Sequence, residues 1–119
     1  MNTNIITIPS GDSMDKDLEF RDRNQELEDM TGTIVVFTAR DSEGNVIIEK
    51  TSDVEDDEAA EQIEWIDQVN GMAKLHFIPS DTESYEGVFD YDIEVEVVAS
   101  GKKFTPIKSF IQIEKDITQ

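Results

Sequence analysis

The stretch from Val88 to Val98, VFDYDIEVEVV, sets Phe89, Tyr91, Ile93, Val95 and Val97 in alternation with Asp90, Asp92, Glu94 and Glu96. Successive side chains leave a strand on opposite sides, so this period of two describes a β-strand with one dry and one wet face. The same pattern recurs in miniature at Asp17 to Arg21, where Leu18 and Phe20 point inward. TIVVFTAR, from Thr33 to Arg40, is apolar on both faces, as a central or interface-facing strand requires. The turn residues DSEGN follow it, and Val46 to Lys50 returns, which makes a hairpin.

Asn70-Gly71 gives a second hairpin signal, between strands at Gln62 to Asp67 and Met72 to Ile78. A last strand runs from Lys103 to Glu114, and Pro106 inside it calls for an edge or a bulge, since proline has no N–H for the ladder. Ala59, Ile63 and Ile66 also fit a helical stripe that Ser52 or Asp53 would cap, so a short helical turn is expected near Glu55 to Glu61. Another is expected after Pro79, where Ser80, Asp81 and Thr82 suit a first turn. Strands at this spacing predict a sandwich or barrel.

A chain of 119 residues fits one domain with one core. The expected division is an N-terminal arm or first strand over 1–12, set off by Pro9-Ser10-Gly11-Asp12, and a β-domain over 13–119. The formal charge of −18, from 28 acidic and 10 basic residues, repels nucleic-acid and anionic-lipid phosphates, so neither is an expected partner. No cysteine is present, which excludes disulfides and cysteine-ligated metal sites. The start MNTNIITIPS lacks a signal peptide's basic and apolar regions, and no apolar run approaches the ~20 residues of a membrane helix, so the expectation is a soluble protein made in the cytoplasm.

Candidates for chemistry are few. Asp53, Glu55, Asp56, Asp57 and Glu58 supply oxygens of the kind calcium takes, but they match no EF-hand loop and lack its glycine. A solvated acidic loop is the expected reading, with docking on a basic neighbour as its other use. His76 is the single histidine and falls on the wet side of Leu75 and Phe77. The carboxylates at Asp90, Asp92, Glu94 and Glu96 invite comparison with a glycosidase pair, yet their regular alternation points to solvation or cross-strand pairing with Lys102, Lys103 or Lys108. No catalytic residue, metal or cofactor is assigned.

Binding by surface is the remaining option. Ile5, Ile6 and Ile8 of the arm, with Trp65, Ile66, Phe104 and Phe110, are the candidate interface residues. The arm would add to a neighbour's sheet or complete its own. For Trp65 the alternative is a place in the core. Thr31, Gly32, Asn70, Gly71, Gly87 and Tyr91 are read as fold determinants: the glycines and Asn70 for positive φ, Tyr91 as an inward phenol in need of a backbone partner.

The segments EDMTGTIVVF, DTESYEGVFDYDI and TPIKSFIQIEKDIT, in this order, resemble a small all-β domain common in tailed-phage virion proteins. The resemblance runs from about residue 15 to residue 118 and is nearest to the N-terminal domain of upper baseplate proteins and to related modules of tail tips and fibres. Met30 stands where leucine is usual, Phe89 where tyrosine is, and Ser109 where the final strand often has glycine. The resemblance implies an immunoglobulin-like antiparallel β-sandwich of about seven or eight strands. It further implies a structural role in the virion, docking on other virion proteins, with a homo-oligomer or ring as the expected assembly. Capsid decoration or a head fibre fits the same residues. A carbohydrate-binding module and an acidic, DNA-mimicking host-directed inhibitor are the alternatives of another class.

Overall fold

The computed structural model describes residues 4–115, the side chain of Asp56 excepted. In chain order the strands are β1 (Ile6–Pro9), β2 (Met14–Glu19), β3 (Thr33–Arg40), β4 (Val46–Thr51), β5 (Ile63–Asp67), β6 (Met72–Phe77), β7 (Gly87–Val97) and β8 (Lys102–Glu114). The helical pieces are 3₁₀ turns at Asp56–Glu61 and Gln68–Asn70 and a single α-turn, α1 (Pro79–Thr82). Two sheets form, one ordered β1-β8-β7-β3-β4 and the other β2-β6-β5. β7 lies between β3 and β8, and β6 between β2 and β5, the C-F-G and B-E-D arrangement of an immunoglobulin-like sandwich.

The inward side chains of both sheets make one core. Val35, Phe37 and Ala39 of β3, Leu75 of β6 and Ile93 and Val95 of β7 are all 0% exposed. Phe37 is its centre, edge-on to Phe77 across the sheets at 5.6 Å between centroids and tilted against Tyr91 at 4.9 Å. The double-sided apolar character of TIVVFTAR follows from its place between β7 and β4, where Thr38 on the outer side is also buried. Pro106 sits where Phe104 faces Val95 and Ile107 faces Ile93, so two residues of β8 oppose Glu94 alone. That is a bulge, in a stretch that pairs with β7 and, among the described residues, with nothing on its other side.

Two sequence expectations change. Asn70-Gly71 does not form a two-residue turn: Asn70 ends a 3₁₀ turn, and Gly71 alone takes the left-handed conformation, at φ 67°. Ile6 and Ile8, read as interface residues, are 1% and 0% exposed because β1 pairs in parallel with Ile111 to Glu114 of β8 and completes the chain's own sheet. Tyr91 finds the backbone partner it needs in the carbonyl of Asn4, which ties the entry to β1 against β7, and burial pushes the phenol above its ordinary pKa.

The turns at Thr31-Gly32 and Gly71 are joined. Met30 N–H donates to the Gln68 carbonyl, and the Gln68 side chain donates back to the Met30 carbonyl, each at 2.9 Å. Phe20 N–H donates to the Gly71 carbonyl at 2.9 Å. A β-carbon at Gly71 would lie 2.5 Å from the Glu28 carbonyl oxygen and 2.9 Å from that of Phe20, both backbone atoms that cannot swing aside. Gly71→Ala therefore combines a clash with a disfavoured φ, and we expect it to cost roughly 2–3 kcal/mol, read from the shift in the urea unfolding midpoint.

Candidate docking surfaces

The outer face of the five-stranded sheet gathers two of the predicted interface residues. Ile6 faces Ile111, so the residue before each, Ile5 and Phe110, share the outer side; both are close to half exposed, at 49% and 46%. Phe110 is opposite Asp90 on β7, and Val88, 63% exposed, lies one same-face position further along that strand. Ile5, Phe110 and Val88 form a small apolar patch. Val88 was read only as the start of a strand. Its outward position follows from the inward set Phe89, Tyr91 and Ile93.

The rest of that face is ionic. Asp92 is opposite Lys108 and Glu96 opposite Lys103, and the Arg40 guanidinium lies 3.1 Å from Asp92 Oδ2. Lys103 and Lys108 thus stand in register with Glu96 and Asp92, while the ion pair made to Asp92 comes from Arg40. These cations flank the row Asp90, Asp92, Glu94 and Glu96 from the neighbouring strands β3 and β8. A shallow hollow of about 520 Å³ beside the patch is lined by Arg40, Asp92, Lys108 and Phe110.

Phe104 and Ile66 fall elsewhere. They are 44% and 55% exposed and line, with Leu18, Phe20 and Ile107, a groove of about 1260 Å³ that follows β2. Trp65 does not join Ile66 there. It packs partly buried against the core, 6.1 Å from Phe20, because the register Trp65 to Ala73 turns it inward. Bulging between Trp65 and Asp67 then throws Ile66 outward.

Of the acidic cluster, Asp57 and Glu58 are in the 3₁₀ turn and exposed, and Asp53 and Glu55 precede it. Among the described residues no three such side chains are placed to hold a metal ion. The turn is held from beneath by a residue that periodicity did not single out. Lys50 ends the inward row of β4, its side chain 2% exposed, with Nζ 2.6 Å from Asp81 Oδ2 and donating at 2.7 Å to the Glu61 carbonyl. Asp81 also accepts the Ile78 N–H at 2.8 Å. One buried ammonium thus binds α1, the 3₁₀ turn and β4 together.

His76 is more enclosed than its wet-face assignment suggested. Its side chain is 12% exposed, with Nδ1 2.7 Å from Asp15 on β2 and Nε2 2.9 Å from Glu64 on β5. Both ring nitrogens are taken by carboxylates on the neighbouring strands, so the imidazole acts as a cross-sheet clamp. Its desolvation alone would lower the pKa; the hydrogen bonds to Glu64 and Asp15, with their charges, outweigh it and raise the pKa above the ordinary 6.5.

No family model and no curated protein matches the chain. Among solved structures, the crystal structure of the Lin-41 filamin domain aligns at 16% identity and a TM-score of 0.45, over 96% of this chain and 87% of that one.

Two outcomes follow from the clamps. Asp81→Ala leaves the Lys50 ammonium buried without its counter-charge and should cost about 3–5 kcal/mol in urea unfolding, whereas Lys50→Met, which leaves Asp81 its Ile78 N–H and some water, should cost much less. A folded-state pKa raised above 6.5 stabilises fully below that value and loses its contribution as pH rises through the folded pKa. The melting temperature should therefore fall as pH rises above 6.5, and His76→Gln should flatten that part of the profile.

Proposed function

We propose that the chain is a non-enzymatic structural subunit of a tailed-phage virion, made in the host cytoplasm and docked on other virion proteins at the tail, baseplate or fibre. Docking is carried by the exposed apolar patch of Ile5, Val88 and Phe110 on the outer face of the five-stranded sheet. An ionic surround of Arg40, Asp92 and Lys108 would fix orientation there, in the manner of a polar rim around an apolar centre.

The virion setting rests on the resemblance of EDMTGTIVVF, DTESYEGVFDYDI and TPIKSFIQIEKDIT to phage virion domains. Those segments supply the turn at Thr31-Gly32 with β3, then α1 with β7, then β8, so the resembling residues make the framework while the outward side chains differ in what they offer a neighbour. The charge of −18 suits a subunit that stays apart from its own kind before assembly and meets a basic neighbour in the particle.

Purified parent virions should contain the chain in stoichiometric amounts by quantitative mass spectrometry, with ordered sandwich density by electron cryomicroscopy. Its absence from washed particles would overturn the proposal and bring forward a host-directed role. In assembled particles, Phe110→Asp should strongly reduce incorporation while leaving the isolated domain's melting temperature nearly unchanged, since a half-exposed side chain contributes little to the core.

A further inference from the structure

We infer that Asn70 is a self-modifying site: its side-chain amide is kept while the chain is folded and lost when the chain unfolds, after which the sandwich cannot be rebuilt. Of the asparagines in the chain, Asn70 alone is followed by glycine. Glycine has no β-carbon to hinder an approach, and its backbone turns freely in an unfolded chain. The Gly71 nitrogen can then close a ring on the Asn70 side chain. Hydroxide removes the Gly71 amide proton, the nitrogen attacks Asn70 Cγ, and the Cγ–Nδ2 bond breaks as ammonia leaves with a proton from water. The product is a cyclic imide. Water then adds at one of its carbonyls and breaks that carbonyl's bond to nitrogen. Opening at Cγ gives aspartate; opening at the main-chain carbonyl gives isoaspartate, whose backbone runs through the β-carbon.

The folded chain opposes each step. Asn70 ends a 3₁₀ turn, and the Gly71 N–H donates to the Gln68 carbonyl at 3.1 Å. Removing that proton breaks a bond of the native state, and Gly71 is buried, so hydroxide reaches it poorly. Gly71 cannot swing toward Cγ either, since it is fixed at φ 67° with the Phe20 N–H on its carbonyl at 2.9 Å. The carboxamide is also held: Asn70 and Asp67 are both exposed, yet Asn70 Nδ2 donates to Asp67 Oδ2 at 2.8 Å. The Asp67 carboxylate thereby sets a negative charge beside Cγ, where the attack would develop another on Oδ1.

The product has no place in the fold. Isoaspartate adds a main-chain carbon directly before Gly71, whose surroundings exclude even a β-carbon, 2.5 Å from the Glu28 carbonyl oxygen. The same segment carries the Gln68 bonds to Met30 and leads into β6, where Met72 stands in register with Glu19 and Asp67. An added backbone atom moves Gly71 relative to Gln68 and breaks this junction from within. A chain that stays unfolded before assembly is thus withdrawn by its own chemistry, with water and hydroxide as the co-reactants.

The purified chain, in buffer and in concentrated urea, is incubated at mildly alkaline pH, and Asn70 is followed by peptide mapping with isoaspartate detection. The unfolded chain should lose the amide at least ~tenfold faster, since reaction of the native chain is limited to its small open population. Asp67→Ala should raise the native rate several-fold and leave the urea rate unchanged. When urea is removed, the isoaspartate chain should fail to regain the native melting transition. Asn70→Asp, which brings the charge without the extra backbone carbon, should regain it. Equal rates in buffer and urea, a native rate unmoved by Asp67→Ala, or full refolding of the isoaspartate chain would overturn the inference. None of these readouts depends on where the chain docks.

Discussion

The reciprocal bonds between Met30 and Gln68 hold the sandwich at the point where the two sheets must be kept in step. Gln68 follows β5 in the smaller sheet and Met30 leads into β3 of the larger one, and Met30 is buried at 2% exposure. The bonds fix the height of β3 relative to β6, and with it the edge-on contact of Phe37 with Phe77. Gly71 closes the arrangement because the Phe20 and Glu28 carbonyls crowd the space any larger residue would use. Sheet registers elsewhere follow from the hydrophobic alternation, since a slip by one residue would move a whole inward row to water.

Charge organises what the core does not. A chain with 28 acidic residues has few cations to distribute, and the described structure spends them at particular places. Lys50 is enclosed beneath the acidic 3₁₀ turn, Arg40, Lys103 and Lys108 sit among the carboxylates of the outer face, and His76 bridges Asp15 and Glu64. Along β2, Lys74 pairs with Asp17 and Arg21 with Glu19.

The candidate surfaces were partly legible before the fold. Phe104, Phe110, Ile5 and Ile66 are exposed as expected, but one list of apolar residues divides between the outer face of one sheet and a groove beside the other. Ile6 and Ile8 could not be told from Ile5 by composition; alternation separates them, and the parallel pairing with β8 decides which parity is inward. Lys50 ends a strand that reads as a plain hairpin return, and nothing local announces that its ammonium meets Asp81, which is distant in sequence. His76 shows the same limit: periodicity places it on the outer face correctly, while the two carboxylates that enclose it come from strands on either side.

Local pattern determined the strands, their inward faces, the bulge at Pro106 and the short helical turns after Glu55 and Ile78, because backbone geometry and side-chain alternation act within a few residues. It also determined the burial of Phe37, Leu75, Ile93 and Val95, whose neighbours in sequence are outward by necessity. Tertiary structure alone decided that β1 joins its own sheet, that Trp65 turns inward while Ile66 turns out, that Lys50 is buried with Asp81, and that β2 ends the smaller sheet. Each of these depends on which strands become neighbours, a property of long-range pairing that alternation within a single strand does not encode.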